Sequence, residues 1–528
     1  MADFAAPPLT RDQLVLFPEK LDQIIPLDHS VRIIDDILCR LDWSRWEQVY
    51  NRRIGQPPIH PKVIAATILY GNLCRIRSSR ALEEALSVRN DFRWLVEGRT
   101  IDHTTISEFR RKTPDALKDI FVQIVLVARD LGHVPLASLG FDGTRMRANN
   151  RKTGTRTPEE LRRAKAELEA NFTELEARAA AAGQQDEERL GETADHKLSE
   201  ELADVKRRRQ RVDAALAEID RLTTEGENIP ARIPITDPQS RLSPNKEGGF
   251  APNYTPHATV DIDSGMVVSA GVISEANEDK QMLPAVEDVK ASFGLDTVPR
   301  ELLADGLMST GDNLAACEEA GIDLYSPIKL GGDADNPAIR EDLGVPVAQE
   351  DLDRLPTTTT KQKDGTKSTK FSKNAFVYDA ESNSYWCPAG KQMAYLNKTS
   401  HVENGRQRIK FRYHAEQSDC AGCPLASRCI SGTAKQRQIS HEQHEGKRIA
   451  HAIKMNSDEA MQKYSRRRHA GERPFAMIKG HFGARRFLTR GLDRVRNEWL
   501  WLTSSFNLHR LLRLLARGPA PPRETTAP

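Results

Sequence analysis

Leu136-Ala137-Ser138-Leu139-Gly140-Phe141-Asp142-Gly143-Thr144 is the stretch on which the fold turns. It carries no charge until Asp142, alternates large apolar side chains with small ones, and ends on a carboxylate beside a glycine. That reads as a short buried strand with an acid at its tip. The pattern returns downstream. His257-Ala258-Thr259-Val260-Asp261-Ile262, the turn Asp263-Ser264-Gly265, and Met266 through Val272 predict a hairpin. Leu302-Leu303-Ala304-Asp305-Gly306 predicts a second short strand ending in Asp. A helix over about 310–320 and a strand over 323–328 follow. Strand, hairpin, strand, helix, strand is the signature of a mixed α/β core.

Upstream the chain reads as helical. Val31, Ile34, Ile37, Leu38 and Leu41 recur at helical period. Further helices are expected over about 62–75 and 79–88, with a break at Asn90-Asp91. Another is expected over 104–112, capped by Asp102 or Thr104. Thr105, Ser107, Arg110 and Arg111 would lie on its exposed face and reach DNA as in a helix-turn-helix module. A small bundle with a solvated face fits the same pattern.

Between the first strand and the hairpin, residues 157–228 are charge-rich, with Leu161, Ala164, Leu168 and Leu175 and then Leu198, Leu202, Val205, Val212, Leu216 and Ile219 at helical spacing. This predicts an antiparallel helical hairpin broken near Ala182-Gly183. Segments 333–336 and 357–370 read as flexible linkers. The divisions expected are 1–130 helical, 131–156 first core strand, 157–228 hairpin insert, 229–328 rest of the core, 329–435 cysteine-rich insert, 436–517 basic helical part, and a disordered tail over 518–528.

The chain has 528 residues with 77 Lys+Arg and 75 Asp+Glu, a net charge of only +2. A uniformly basic coat is excluded. Residues 435–517, however, hold 19 Lys and Arg against 7 Asp and Glu. Such a local excess suits a phosphate backbone, because each neutralised phosphate releases counterions. No 18-residue apolar window predicts a membrane span. The N-terminus has no basic-then-apolar leader, so cytoplasmic residence is expected.

Asp142 and Asp305 end expected strands, and Glu472 begins a helix in the basic region. Three converging carboxylates suit Mg²⁺ or Mn²⁺, hard cations that bridge to phosphate oxygens. Each acid alone is equally readable as a turn or capping residue. Glu472 and Lys479 are seven apart, so two turns place them on one helix face, about 20° off register. Pro474 sets the helix start near Glu472, with Arg468 reaching in from the preceding loop.

Four of the seven cysteines cluster as Cys387, Cys420, Cys423 and Cys429. Four thiolates make a tetrahedral Zn²⁺ site. His401 and His414 are alternative ligands, and reduced unpaired cysteines are the other reading. Cys39, Cys74 and Cys317 are expected in helical cores.

The run Tyr464…Arg467-Arg468…Glu472-Arg473-Pro474-Phe475…Lys479…Gly483-Ala484-Arg485-Arg486-Phe487…Gly491-Leu492 resembles the end of bacterial insertion-sequence DDE transposases. It looks most like the insertion-sequence-1182 family, within the insertion-sequence-four and -five group. Gly140 to Thr144 resembles the first-Asp strand, Ile235 to Asp261 the approach to the second strand, and Ala304-Asp305-Gly306 the second-Asp strand. The resemblance implies a ribonuclease-H-like mixed-sheet core with an N-terminal all-helical domain, a helical hairpin insert and a cysteine-rich insert. It implies a catalytic, metal-binding triad of Asp142, Asp305 and Glu472. Either Arg467 or Arg468 then serves as the signature arginine, and Lys479 as the signature lysine. Arg485 and Arg486 fall among the expected DNA contacts. The implied partners are double-stranded DNA, as terminal inverted repeats and target, and a second copy in the synaptic complex. The implied place is the bacterial nucleoid. A catalytically inactive DNA-binding regulator, or a decayed copy, is the alternative reading.

Overall fold

The computed structural model describes residues 20–50, 58–150, 154–188, 196–245, 248–328, 336–361, 367–403, 406–432 and 434–516. The tail expected over 518–528, and residues 333–335 of one expected linker, lie outside them.

The N-terminal part is a stack of short helices. Ser30–Cys39 buries Val31, Ile34, Ile37 and Leu38, the face its periodicity marks. Pro61–Leu73 starts on a proline and is buried almost all round. Ser79–Val88 is capped by Ser78. The break expected at Asn90-Asp91 is instead the start of helix Asn90–Leu95. Asp91 is buried there, accepting hydrogen bonds from the Tyr70 hydroxyl at 2.7 Å and from Arg89. Tertiary partners override its turn preference.

One helix explains why these pieces cohere. Leu492–Leu515 packs on Pro61–Leu73, on Pro114–Asp130 and on the central sheet. It is buried on nearly every side, so its polar residues must be satisfied internally. Thr503, Ser504 and Ser505 donate to carbonyls one turn back. Asn507 clamps Val267 through both its amide and its carbonyl, at 2.9 and 2.7 Å. The apolar side chains of the N-terminal helices, the sheet and this helix form one continuous core.

The central sheet begins with β1 (Ser138–Gly143) and β2 (Met146–Arg147). The small pair β3 (Thr155–Arg156) and β4 (Ile233–Pro234) stands apart, at the root of the helical insert. The sheet resumes with β5 (Arg241–Pro244), β6 (Phe250–Asp261), β7 (Val267–Ile273), β8 (Glu301–Leu303) and β9 (Asp323–Tyr325). Strand β6 pairs antiparallel with β1, β2, β5 and β7. Strand β1 pairs parallel with β8, and β8 parallel with β9. The hairpin expected over 257–273 is thus β6–β7, turned at Gly265 with a positive φ of 67°.

The helical insert is Pro158–Glu188 and His196–Thr224. The break expected near Gly183 does not occur, because the first helix runs on to Glu188; one glycine among alanines costs only ~1 kcal/mol. A small core of Leu161, Val212, Ala215, Ile219 and Ile233 fixes its base.

Residues 336–442 build a second core of their own. Strands β10 (Thr357–Lys361) and β11 (Lys367–Phe371) pair as a hairpin. The linker expected over 357–370 is therefore corrected: a run of β-branched threonines favours strand even when polar. Strands β12 (Val377–Asp379), β13 (Ser384–Trp386), β14 (Gln392–Glu403), β15 (Arg406–His414) and β16 (Gln438–Glu442) form an antiparallel meander around Tyr385, Tyr413 and His441. No helix among the described residues is long and apolar enough to cross a membrane.

Candidate active site

The register of β1 and β8 brings the first two acids together. Gly140 faces Leu303 in the parallel pair. Two residues further along each strand, the same register sets Asp142 level with Asp305 at the carboxyl edge of the sheet. Asp305 lies just past β8, where its Oδ1 accepts the Leu307 amide at 2.8 Å and its backbone is braced by Ser326. Gly306 belongs there because a Cβ would sit 2.9 Å from the Pro327 carbonyl oxygen.

Glu472 arrives from the far end of the chain. It is the N-cap residue of helix Arg473–Gly480, with Pro474 in the first turn. Phe475 of that helix stacks on Trp499 of the long terminal helix, ring centres 5.9 Å apart. Lys479 donates to the Thr144 hydroxyl and to the Arg145 carbonyl at 2.8 Å. Gly471 has no side chain where it passes Asp142; its Cβ would stand 4.0 Å from that of Asp142. These contacts seat the start of the helix against the tip of β1.

Asp142 is the electrostatic centre. Its side chain is 12% exposed, and its Oδ1 meets Arg467 Nη2 at 3.1 Å and the Gly143 amide at 2.9 Å. Burial pushes its carboxyl up to about 6. Arg467 and the Gly143 amide oppose that rise, while the negative charges of Asp305 and Glu472 add to it. The three acids therefore feel one another, although Glu472 itself is exposed. A fourth carboxylate, Glu278, stands in the same field. It is buried, and burial followed by the charges of Asp305 and Asp142 raises its carboxyl as well. The sequence offers no local signal for it, since it sits in a polar run between β7 and the next helix.

The two candidate arginines separate cleanly. Arg467 is the one on Asp142, and its Nε is buried without a partner. Arg468 is exposed. It lies in a short helix, Arg467–Ala470, rather than in the loop expected. Arg473, Arg485 and Arg486 are also exposed, and none of these four has a carboxylate partner among the described residues. Much of the remaining basic excess is neutralised internally: Lys454 pairs with Asp323, Lys463 with Glu301 and Arg466 with Asp263.

The N-terminal contact helix differs from its expectation. It spans His103–Phe109 and ends before Arg110. Asp102 caps it, accepting the Thr104 and Thr105 amides at 2.8 and 2.9 Å and the Thr105 hydroxyl at 2.7 Å. Thr105 is thereby engaged in the cap. Arg110 is turned inward, donating to the Arg77 carbonyl, and burial lowers its pKa to about 10. It is not available to DNA. Lys112 pairs with Glu108. Ser107 is half-buried and Arg111 exposed.

The cysteines meet in the second core. Cys387, Cys420, Cys423 and Cys429 line one cavity of about 30 Å³, which His401 and His414 do not reach. The Lys391 amide points to Cys387 Sγ at 3.4 Å, and Gly422, at φ 81°, turns the chain between Cys420 and Cys423. Burial pushes the Cys429 thiol up to about 12, with the other three cysteines adding to the rise. Of the remaining three, Cys317 is buried as expected and Cys74 is half-buried. Cys39 is exposed at a helix end, against expectation.

Among the described residues, no group of three or more His, Cys, Asp or Glu side chains stands close enough together to hold a metal ion as placed. The donor chemistry nonetheless fits at both places. Hard oxygens converge at the sheet edge, where a Cβ on Gly143 would fill the space taken by Glu278, and soft sulfurs share the cavity of the second core.

Comparison with known families gives two matches. Residues 386–512 match the transposase DDE domain, and residues 19–112 match the transposase domain DUF772. No curated protein matches the chain. The two family matches indicate a transposase and support a DDE transposase of the insertion-sequence-four and -five kind.

Proposed function

We propose that this chain is an insertion-sequence transposase, of the insertion-sequence-1182 type, that binds the terminal inverted repeats of its element, hydrolyses phosphodiesters at the element ends and joins the 3′-hydroxyls to target DNA. The observation that carries this reading is the meeting of Asp142, Asp305 and Glu472 at one sheet edge, with Arg467 and Lys479 beside them. Counted in chain order, the five main strands β1, β6, β7, β8 and β9 lie side by side as third, second, first, fourth and fifth. That order supports a ribonuclease-H-like core.

Asp142, Asp305 and Glu472 would hold Mg²⁺ or Mn²⁺, which supplies a Lewis acid for the phosphoryl oxygens and lowers the pKa of bound water. Asp142 must be ionised for this, and Arg467 favours that form. Lys479 and Arg468 would neutralise charge on the phosphates that flank the cut. Arg473, Arg485 and Arg486 extend the cationic surface along the backbone, with Ser107 and Arg111 as a more distant contact. Phosphate contacts of this kind position DNA without reading its sequence. Two element ends are joined in one reaction, so a homodimer in the synaptic complex follows, acting in the bacterial cytoplasm on nucleoid DNA. The four cysteines would hold a structural Zn²⁺ that closes the second core.

The test is a labelled duplex bearing the element's own terminal repeat, incubated with protein and Mg²⁺ beside Asp142→Asn and Glu472→Gln. Metal-dependent nicking at the repeat boundary, lost in both variants, is expected. Specific binding with no cleavage in Mg²⁺ or Mn²⁺ would overturn the enzyme reading in favour of an inactive DNA-binding regulator.

A further inference from the structure

Glu278 has no place in a three-carboxylate site, yet the fold makes room for it. It precedes the short turn Asp279–Gln281 that leads from β7 into helix Met282–Phe293. It is 7% exposed. A Cβ on Gly143 would lie 2.5 Å from Glu278 Oε1 and 2.7 Å from its carboxyl carbon. The carboxylate therefore rests directly on the bare backbone beside Asp142. Among the described residues no side chain donates to it; Arg145 acts on it only through its charge, and Arg467 is committed to Asp142. Among the described residues the one donor to its carboxylate is its own backbone amide, and a buried charge so thinly satisfied is expensive to keep. Its natural partner is a cation that arrives from solution.

Charge counting says how many. Four carboxylates and Arg467 leave the cluster at three negative charges when all are ionised. One dication leaves it negative, which repels a phosphodiester. Two dications and Arg467 balance four carboxylates and one phosphodiester. With only three carboxylates, two dications would leave an uncancelled positive charge beside the largely enclosed Asp142 side chain.

We propose that Glu278 is a fourth carboxylate of this cluster and supplies a ligand oxygen to the second of two divalent cations. The inference rests on the cation-site reading above. The three signature acids then define the first cation position, and the residue that completes the second comes from the β7–helix turn.

The experiment is a Mn²⁺ titration of the full chain without DNA. Free Mn²⁺ is counted by its electron paramagnetic resonance signal, and Mn²⁺-induced thermal stabilisation is followed in parallel. Wild type is expected to take up two equivalents. Glu278→Gln is expected to keep one and weaken the other by at least about tenfold. Glu278→Asp, which keeps the charge but withdraws it by one methylene, is expected between the two; it decides the matter should the Gln variant not fold. Uptake of two equivalents by Glu278→Gln at wild-type affinity, while Asp142→Asn loses Mn²⁺, would overturn this inference and leave the triad standing. A single equivalent in wild type would overturn it equally. Uptake by Asp142→Asn indistinguishable from wild type would sink the cation-site reading itself, and this inference with it.

Discussion

The sheet edge and the cysteine cavity are two ways to gather four ionisable side chains. At the edge, Asp142 comes from the end of β1, Asp305 and Glu278 from turns that follow β8 and β7, and Glu472 from a helix beyond the second core. Together they spread over 331 residues, from Asp142 to Glu472. In the cavity, all four sulfurs lie within 43 residues, on turns that local chain geometry builds. The edge holds oxygens that repel one another, restrained by one arginine. The cavity holds thiols in an apolar setting, where burial disfavours the thiolates of Cys387 and Cys429. Carboxylates kept close and ionised suit a site that must accept and release a charged substrate. Thiols that are neutral until a soft metal arrives suit a site that closes once.

The contrast is sharpest in activity. Asp142→Asn or Asp305→Asn should lower cleavage by at least about 10³-fold while leaving DNA binding and metal-free thermal stability near wild type. A matching loss of stability would mean that the edge is structural, as the cavity is proposed to be.

The cavity should show the reverse. Cys423→Ser, or a strong chelator, is expected to cost several kcal/mol of stability in residues 336–442 and to leave the central sheet folded. Hydrogen exchange resolved by segment checks this, together with zinc content of the purified protein. Unchanged protection across β12–β16, with no zinc found, would leave the cysteines as ordinary core residues.

Arg467 and Arg468 break the edge more gently. Arg467 holds the Asp142 carboxyl down against burial, so Arg467→Ala should move the acidic limb of the pH–rate profile upward from about 6. Arg468→Ala should leave that limb in place and weaken DNA binding by ~1 kcal/mol, with a shallower salt dependence. The same shift from both variants would remove the distinction between them.

The smallest effect is a difference in sign. Burial lowers the His441 pKa to about 4 from an ordinary 6.5. The unfolded chain therefore binds a proton first as pH falls, and the second core loses stability between pH 6.5 and 4. Asp142 runs the other way. Its folded pKa of about 6 lies above the ordinary 3.8, so the native edge takes the proton first and gains stability as pH falls through that window. Each effect is of order 1–3 kcal/mol. Segment-resolved unfolding at pH 7 and pH 5 should show the two regions moving apart. Movement in the same direction would mean that one of the two environments is misassigned.

Much of the molecule was legible along the chain. The carboxylates at the strand tips, the β6–β7 hairpin, the helical insert and the cysteine cluster all follow from local patterns. Strand period, turn residues and helical repeats act over a few residues, and so does a Cys-x-x-Cys turn. The misreadings differ in cause: Asn90-Asp91 carries a turn preference that tertiary partners overrode, Gly183 a helix cost too small to end the helix, and the threonines of 357–361 a strand preference that their polarity hid. Arg110 looked exposed because a helix over 104–112 would carry it on its polar face, yet the helix ends at Phe109 and Arg110 turns under Arg77.

By itself, the sequence determined the candidate acids Asp142, Asp305 and Glu472, the strand ends and helix start that carry them, and the cysteine cluster. Only the tertiary structure decided which of them meet. The parallel register of β1 and β8 levels Asp142 with Asp305. The stacking of Phe475 on Trp499 brings Glu472 to them, and an absent Cβ at Gly143 admits Glu278. It also chose Arg467 over its neighbour for Asp142. These are long-range contacts between segments with no local signal of one another, set by the burial of one shared core.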